Sequence, residues 1–134
     1  MIAASQSLPC ESAAAQQARH WIHAVLGPQL PTDERGAELM EDISLCVSEL
    51  VTNAYQAGCE RMRLHCTIDG ELMRLAVVDD APGRPRPGPL ADPRQSHGRG
   101  LYIVDQLARR WGVSSEGHGR GKEVWLEFRA PESR

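Results

Sequence analysis

Residues 61–79 read RMRLHCTIDGELMRLAVVD, and their periodicity decides the fold class. Met62, Leu64, Cys66 and Ile68 alternate with Arg61, Arg63, His65 and Thr67, the two-residue period of a half-buried strand. Asp69-Gly70 is a strong hairpin signal, since the tight turns that match the twist of paired strands favour this dipeptide. The run ELMRLAVVD supplies the return strand. A β-hairpin therefore occupies the middle of the chain, with helical patterns on either side.

Before the hairpin the period lengthens. Residues 11–26, ESAAAQQARHWIHAVL, are rich in alanine and other helix formers, with Ser12 as a candidate cap and Gly27-Pro28 as a stop. A longer helix is expected to follow Thr32 and end near Gly58, with Leu39, Ile43, Val47, Leu50 and Ala54 on one buried face. After the hairpin, residues 80–98 are dense in proline and glycine and have no periodicity; loops of that length are usually functional or disordered. A third helix is expected from Gly100 to about Arg110, with Leu101, Val104, Leu107 and Ala108 inward. Residues 113–116 form a short strand candidate. GHGRG, 117–121, reads as a turn, and KEVWLEFR, 122–129, as a last strand with Val124, Leu126 and Phe128 inward. The pattern predicts an α+β two-layer sandwich: about three helices on one face of a mixed, mostly antiparallel sheet, in a single domain spanning 1–134.

Composition narrows the function. The chain of 134 residues is 41% hydrophobic and 25% charged, with a formal net charge of −3. That balance gives no electrostatic footprint for nucleic acid. No apolar run reaches transmembrane length, and the start lacks a signal-peptide pattern, so a cytoplasmic location away from membranes is expected. Cys10, Cys46, Cys59 and Cys66 form no CxxC pair, and reduced, mostly buried thiols are expected. His20 and His23 share a helix face, but no further Cys or His completes a metal site.

Four motifs carry the chemistry: ELVTN at 49–53, DDAPG at 79–83, GRG at 98–100 and GRGK at 119–122. Glu49 and Asn53 stand one helical turn apart and project from the same face, close to the apolar stripe. Gly98 and Gly100 stand at the threshold of the third helix, where unpaired amides and the helix dipole favour an anion.

With these residues in view, the sequence resembles the ATP-binding domain shared by gyrase, heat-shock chaperones, histidine kinases and MutL, the GHKL or Bergerat fold. It is most similar to RsbW-like anti-sigma-factor serine/threonine kinases and their small actinobacterial relatives. SELVTNA (48–54) and HGRGLYIVDQLARRWGV (97–113) carry the likeness, which runs over nearly the whole chain.

The resemblance implies ATP and Mg²⁺ as ligands. It gives Glu49 the role of catalytic general base, Asn53 that of Mg²⁺ ligand, and Asp79 that of acceptor for the adenine amino group. It implies that Gly83 allows close backbone approach to the nucleotide. It implies that Gly98 and Gly100, flanked by Arg99 and Leu101, bring the helix start to the phosphates, and that the loop near 84–97 is an ATP lid. The sequence departs from the usual pattern in having Ala81 within the Asp-x-Gly-x-Gly box, Lys122-Glu123 where many relatives place Thr, and Gln56 where they often place a basic residue.

The implied function is an ATP-binding anti-sigma factor that phosphorylates a STAS-type antagonist. The implied partners are that antagonist and a sigma factor, and a homodimer is allowed. The alternative is a non-catalytic, nucleotide-responsive module that sequesters a transcriptional regulator. A histidine kinase is disfavoured, because there is no room for a phospho-acceptor hairpin. Trp125, facing away from Val124 and Phe128, is a candidate contact for a partner or second copy, with packing at a sheet edge an equal explanation. Trp111, at the end of the third helix, is expected in the core.

Overall fold

The structure is a computed structural model that describes residues 1–81, 96–115 and 121–131, with residues 96–100 described by backbone alone. In chain order the elements are β1 (Ile2–Leu8), α1 (Ala14–Leu26), a 3-10 turn (Gly27–Gln29), α2 (Glu34–Gln56), β2 (Met62–Asp69), β3 (Leu72–Asp79), α3 (Ser96–Leu107), β4 (Arg110–Ser114) and β5 (Lys122–Arg129). The strands form one sheet in the order β1-β2-β3-β5-β4, and all four ladders are antiparallel. The helices cover one face. This is the α+β sandwich expected.

Each helix is placed by its apolar stripe. In α1 Ala14, Ala18, Ile22 and Leu26 are buried at every fourth position, and in α2 Met40, Ile43, Val47, Leu50, Val51 and Ala54 are buried. They meet the inward residues of the sheet: Met62, Leu64, Cys66 and Ile68 of β2, Met73, Leu75 and Val77 of β3, and Val124, Leu126 and Phe128 of β5. The ends of α2 are set by specific hydrogen bonds. At its start, Asp33 accepts the Gly36 amide at 3.1 Å, an N-cap. At its end, Gly58 takes φ +86°, while the amides of Gly58 and Cys59 donate to the carbonyls of Tyr55 and Ala54 at 3.0 and 3.3 Å. This is a Schellman close, and its left-handed residue suits glycine. Across the helix layer, Arg19 donates to Ser48 Oγ at 2.9 Å, and His23 Nε2 lies 3.1 Å from Ser44 Oγ.

Five features differ from the sequence expectations. Residues 2–8 form an edge strand, most of whose residues are exposed on both faces, so no alternation marks it. α1 begins at Ala14 with Ala13 at its cap and no side-chain cap bond, so Ser12 does not cap it. α3 begins at Ser96 rather than Gly100: glycine costs about 1 kcal/mol in a helix interior, and the burial of Leu101 and Val104 outweighs it. Trp111 is half-buried within β4, and its indole N–H donates to Asp105 at 2.8 Å. Cys10 and Cys59 form a disulfide, while Cys46 and Cys66 are free and buried; the pairing joins residues 49 apart, which spacing alone does not reveal. The ATP-lid expectation falls on residues of which 84–95 lie outside the described ones.

Leu75 is wholly buried at the centre of β3, whereas Tyr55 on α2 is 41% exposed. Leu75→Ala should cost about 2–5 kcal/mol through lost transfer energy and the cavity left behind. Tyr55→Ala should stay within about 0.5 kcal/mol of the parent chain. Urea midpoints at constant slope measure both.

Candidate functional site

The second half of α2, the end of β3, the start of β5 and the first turns of α3 carry all the described residues nominated by the sequence. α2 packs against both β3 and α3. Glu49 and Asn53 lie at the margin of the apolar stripe, next to buried Leu50 and Ala54. Burial raises the Glu49 carboxyl above the ordinary glutamate value, because desolvation disfavours the charged form. Asn53 Oδ1 is buried and has no hydrogen-bond partner among the described residues. Such an oxygen is costly unless something satisfies it.

Asp79, the last residue of β3, is 4% exposed. Its Oδ1 accepts the Ala81 amide at 2.8 Å and Lys122 Nζ at 2.9 Å. Lys122 is itself 6% exposed, and it stands directly opposite Asp79 in the β3–β5 ladder. The two strands close tightly here: a Cβ on Gly121 would collide with the Asp79 carbonyl oxygen, so only glycine fits. Ala81 is completely buried, so its methyl is accommodated. Glu123 falls on the opposite face of β5 from Lys122 and is half-buried there, so this acid points away from Asp79. Gln56 is exposed at the end of α2.

Next to Asp79, Asp80 has a different task. Its Oδ1 accepts the amides of Glu60 at 2.7 Å and Arg61 at 2.9 Å. Those bonds hold its carboxyl below the ordinary aspartate value. The loop after α2 is thereby fastened to the end of β3.

Gly98, Arg99 and Gly100 lie within the opening turns of α3 rather than ahead of them. The amides of the first three residues of a helix, here 96–98, lack intrahelical partners. Leu101, which follows Gly100, is fully buried and anchors this end to the core. Gly83 lies outside the described residues. The indole of Trp125 is engaged within the chain. It covers Gly112, where a Cβ would come within 2.7 Å of it, and the Arg74 guanidinium stacks 4.2 Å from its ring centroid.

Sequence reasoning missed Lys122 and Asp80. The first was legible: the alternation that sends Val124, Leu126 and Phe128 inward sends Lys122 inward too. The hydrogen bonds of Asp80 leave no periodic trace.

A profile of histidine kinase-like ATPase domains matches residues 8–128, and the chain belongs to that family. No curated protein matches it. Among solved structures, the chain is similar to the RsbU and RsbW domains of Rv1364c from Mycobacterium tuberculosis, with a TM-score of 0.68 and 20% identity. The match covers 96% of this chain and 32% of that one, so the likeness is one of fold. No helix among the described residues is long and apolar enough to cross a membrane.

Removing one member of a buried ion pair strands the other charge. Lys122→Met should therefore destabilise the fold by about 3–5 kcal/mol, and combining it with Asp79→Leu should restore most of the loss. Chemical denaturation of the single and double variants tests this. Equal stability of Lys122→Met and the parent chain would show that the pair carries no such load.

Proposed function

We propose that this chain is an ATP-binding regulator of the anti-sigma type, which transfers the γ-phosphoryl group of ATP to a serine on a STAS-type antagonist and also binds a sigma factor. The observation that carries the reading is the buried Oδ1 of Asn53, which has no partner among the described residues. It lies one turn from a carboxyl whose charged form burial disfavours. A neutral amide oxygen held out of water suits Mg²⁺, a hard cation that takes few protein ligands when phosphates supply the rest. When bound, that ion would neutralise phosphate charge.

The chain's own residues would do the remaining work. Glu49 would accept the proton of the serine hydroxyl as its oxygen takes the phosphoryl group and ADP departs. The free amides of the first turn of α3, which includes Gly98, would face the phosphates, with Arg99, Gly100 and Leu101 continuing the helix behind them. Asp79 would accept from the adenine amino group. The ammonium of Lys122 already occupies Asp79 Oδ1, so the base has to share this carboxylate or displace the lysine. That contact supports a second reading, in which the chain binds a regulator and performs no transfer.

Glu49→Gln separates the two. In the kinase reading it should retain Mg·ATP affinity and lose transfer of labelled γ-phosphate by about 10²–10⁴-fold. Asn53→Ala should lose Mg²⁺-dependent affinity as well. Calorimetry should favour ATP over GTP. A parent chain that binds Mg·ATP yet labels no STAS-type serine, with Glu49→Gln indistinguishable from it, would falsify the kinase reading.

The raised pKa of Glu49 fixes two signs. Transfer needs the carboxylate, so its rate should fall with decreasing pH through a midpoint above the ordinary glutamate value, and that limb should vanish in Glu49→Gln. Folding prefers the neutral form, so this group's contribution is fully present at low pH and lost as pH rises through the folded pKa. Glu49→Gln should therefore raise the thermal midpoint at pH 7 and leave it unchanged at acid pH. Scanning calorimetry at the two pH values checks the sign.

A further inference from the structure

The disulfide lies at an informative place. Cys10 sits between the end of β1 and the start of α1, and Cys59 immediately follows the Schellman close of α2. Both are half-buried. The other two thiols differ in kind. Cys46 and Cys66 are buried, and burial pushes them up to about 12 and about 11, which makes them poor partners in thiol exchange.

The segment that Cys59 anchors connects the two halves of the site. Its N-terminal end is bonded to α2, where the Ala57 amide donates to the carbonyl of Asn53 itself at 2.9 Å. Its C-terminal end is bonded to β3. Asp80 accepts the Glu60 and Arg61 amides, and the Asp80 amide donates back to the Arg61 carbonyl at 3.3 Å. The short run 57–61 thus spans from Asn53 to the residue beside Asp79. Ala57, Gly58, Glu60 and Arg61 are all exposed. Among the described residues, the one covalent cross-link of this run, beyond the chain itself, is the bond to Cys10.

We propose that Cys10 and Cys59 form a redox-modification site that sets the affinity of the nucleotide site: the disulfide pre-organises the 57–61 segment, and reduction loosens it. The inference rests on the ATP reading above. Oxidation proceeds by exchange with a low-molecular-weight disulfide such as oxidised glutathione. One cysteine thiolate attacks the reagent and releases one glutathione thiol. The second attacks the mixed disulfide and releases the other. The protein loses two hydrogens and two electrons, and the reagent gains them. In the reduced protein, the order that the bond supplied must be created when nucleotide binds, which lowers apparent affinity. Linkage makes the effect reciprocal, so Mg·ATP should protect the bond from reduction.

The test uses the full chain, oxidised with glutathione disulfide or reduced with dithiothreitol, with its thiols counted by native alkylation and mass. Reduction should speed amide exchange at Cys59, Glu60 and Arg61 and weaken Mg·ATP about 5-fold or more. Cys10→Ser and, independently, Cys59→Ser should reproduce the reduced values and abolish the response to oxidant. Saturating Mg·ATP should raise the oxidised fraction in a glutathione redox buffer. Exchange unchanged by reduction overturns the coupling, whatever the nucleotide result. Faster exchange with equal affinity in both states overturns the switch. Absence of Mg·ATP binding in both states overturns the ATP reading and, with it, the output assigned to the bond. Faster exchange in the reduced chain would then mark the failure as that of the reading and not of the coupling.

Discussion

α2 must bury one apolar face and still present oxygen atoms at its edge, and the rest of the site depends on that constraint. Val47, Leu50, Val51 and Ala54 are pressed into the core. On a helix, Glu49 and Asn53 then fall at the border of that face. A slight rotation outward would hydrate both side chains and return Glu49 to ordinary behaviour. A rotation inward would bury a carboxylate outright. The observed placement lies between these, with a glutamate raised by desolvation and an asparagine oxygen cut off from water. Burial of Ile43 and Val47 in the core fixes the rotation, so core residues set the chemistry of edge residues.

The end of β3 solves a second problem with two adjacent acids. Successive residues of an extended chain point to opposite sides. Asp79 therefore turns inward to Lys122, while Asp80 turns toward the backbone of the loop after α2. One carboxylate holds β5 to β3 at their ends. The other closes the gap between β3 and α2. Substituting Asp79 consequently disturbs a buried ion pair as well as any contact with a ligand, so a loss of binding in such a variant means little without its stability. Lys122 is cleaner in one respect, because restoring stability with a second change at Asp79 isolates the charge from the packing.

Much of this architecture was legible in the sequence, for identifiable reasons. The β2–β3 hairpin, α2 and β5 each have a full period of alternation or helical recurrence, backed by strong local signals such as Asp69-Gly70. Glu49 and Asn53 could be paired because helical spacing is fixed. β1 was not legible, since an edge strand exposed on both faces has no hydrophobic pattern to read. The Cys10–Cys59 bond and the Asp80 hydrogen bonds were hidden for another reason. They join segments distant in sequence, and their partners are set by how the helices settle on the sheet. The start of α3 was misplaced because glycine is a weak helix former, while the burial of Leu101 and Val104 counts for more than local preference.

The two faces of the sheet differ in how far their polar groups are satisfied within the chain. On the face away from the helices, Glu127 is 7% exposed, with Arg74 3.3 Å from one carboxylate oxygen and Arg110 3.9 Å from the other. Both guanidinium groups also lie over the Trp125 ring, at 4.2 and 5.8 Å from its centroid. Charge, hydrogen bonds and aromatic surface are satisfied within the chain there, and an added ligand would have to break existing pairs. On the helix face the balance is the reverse. Asn53 Oδ1 has no partner among the described residues, and burial disfavours the charged form of Glu49. Both groups are held there by the burial of their apolar neighbours. A ligand that brings a cation and a proton donor would relieve both at once, and nothing in the outer cluster offers it a comparable gain.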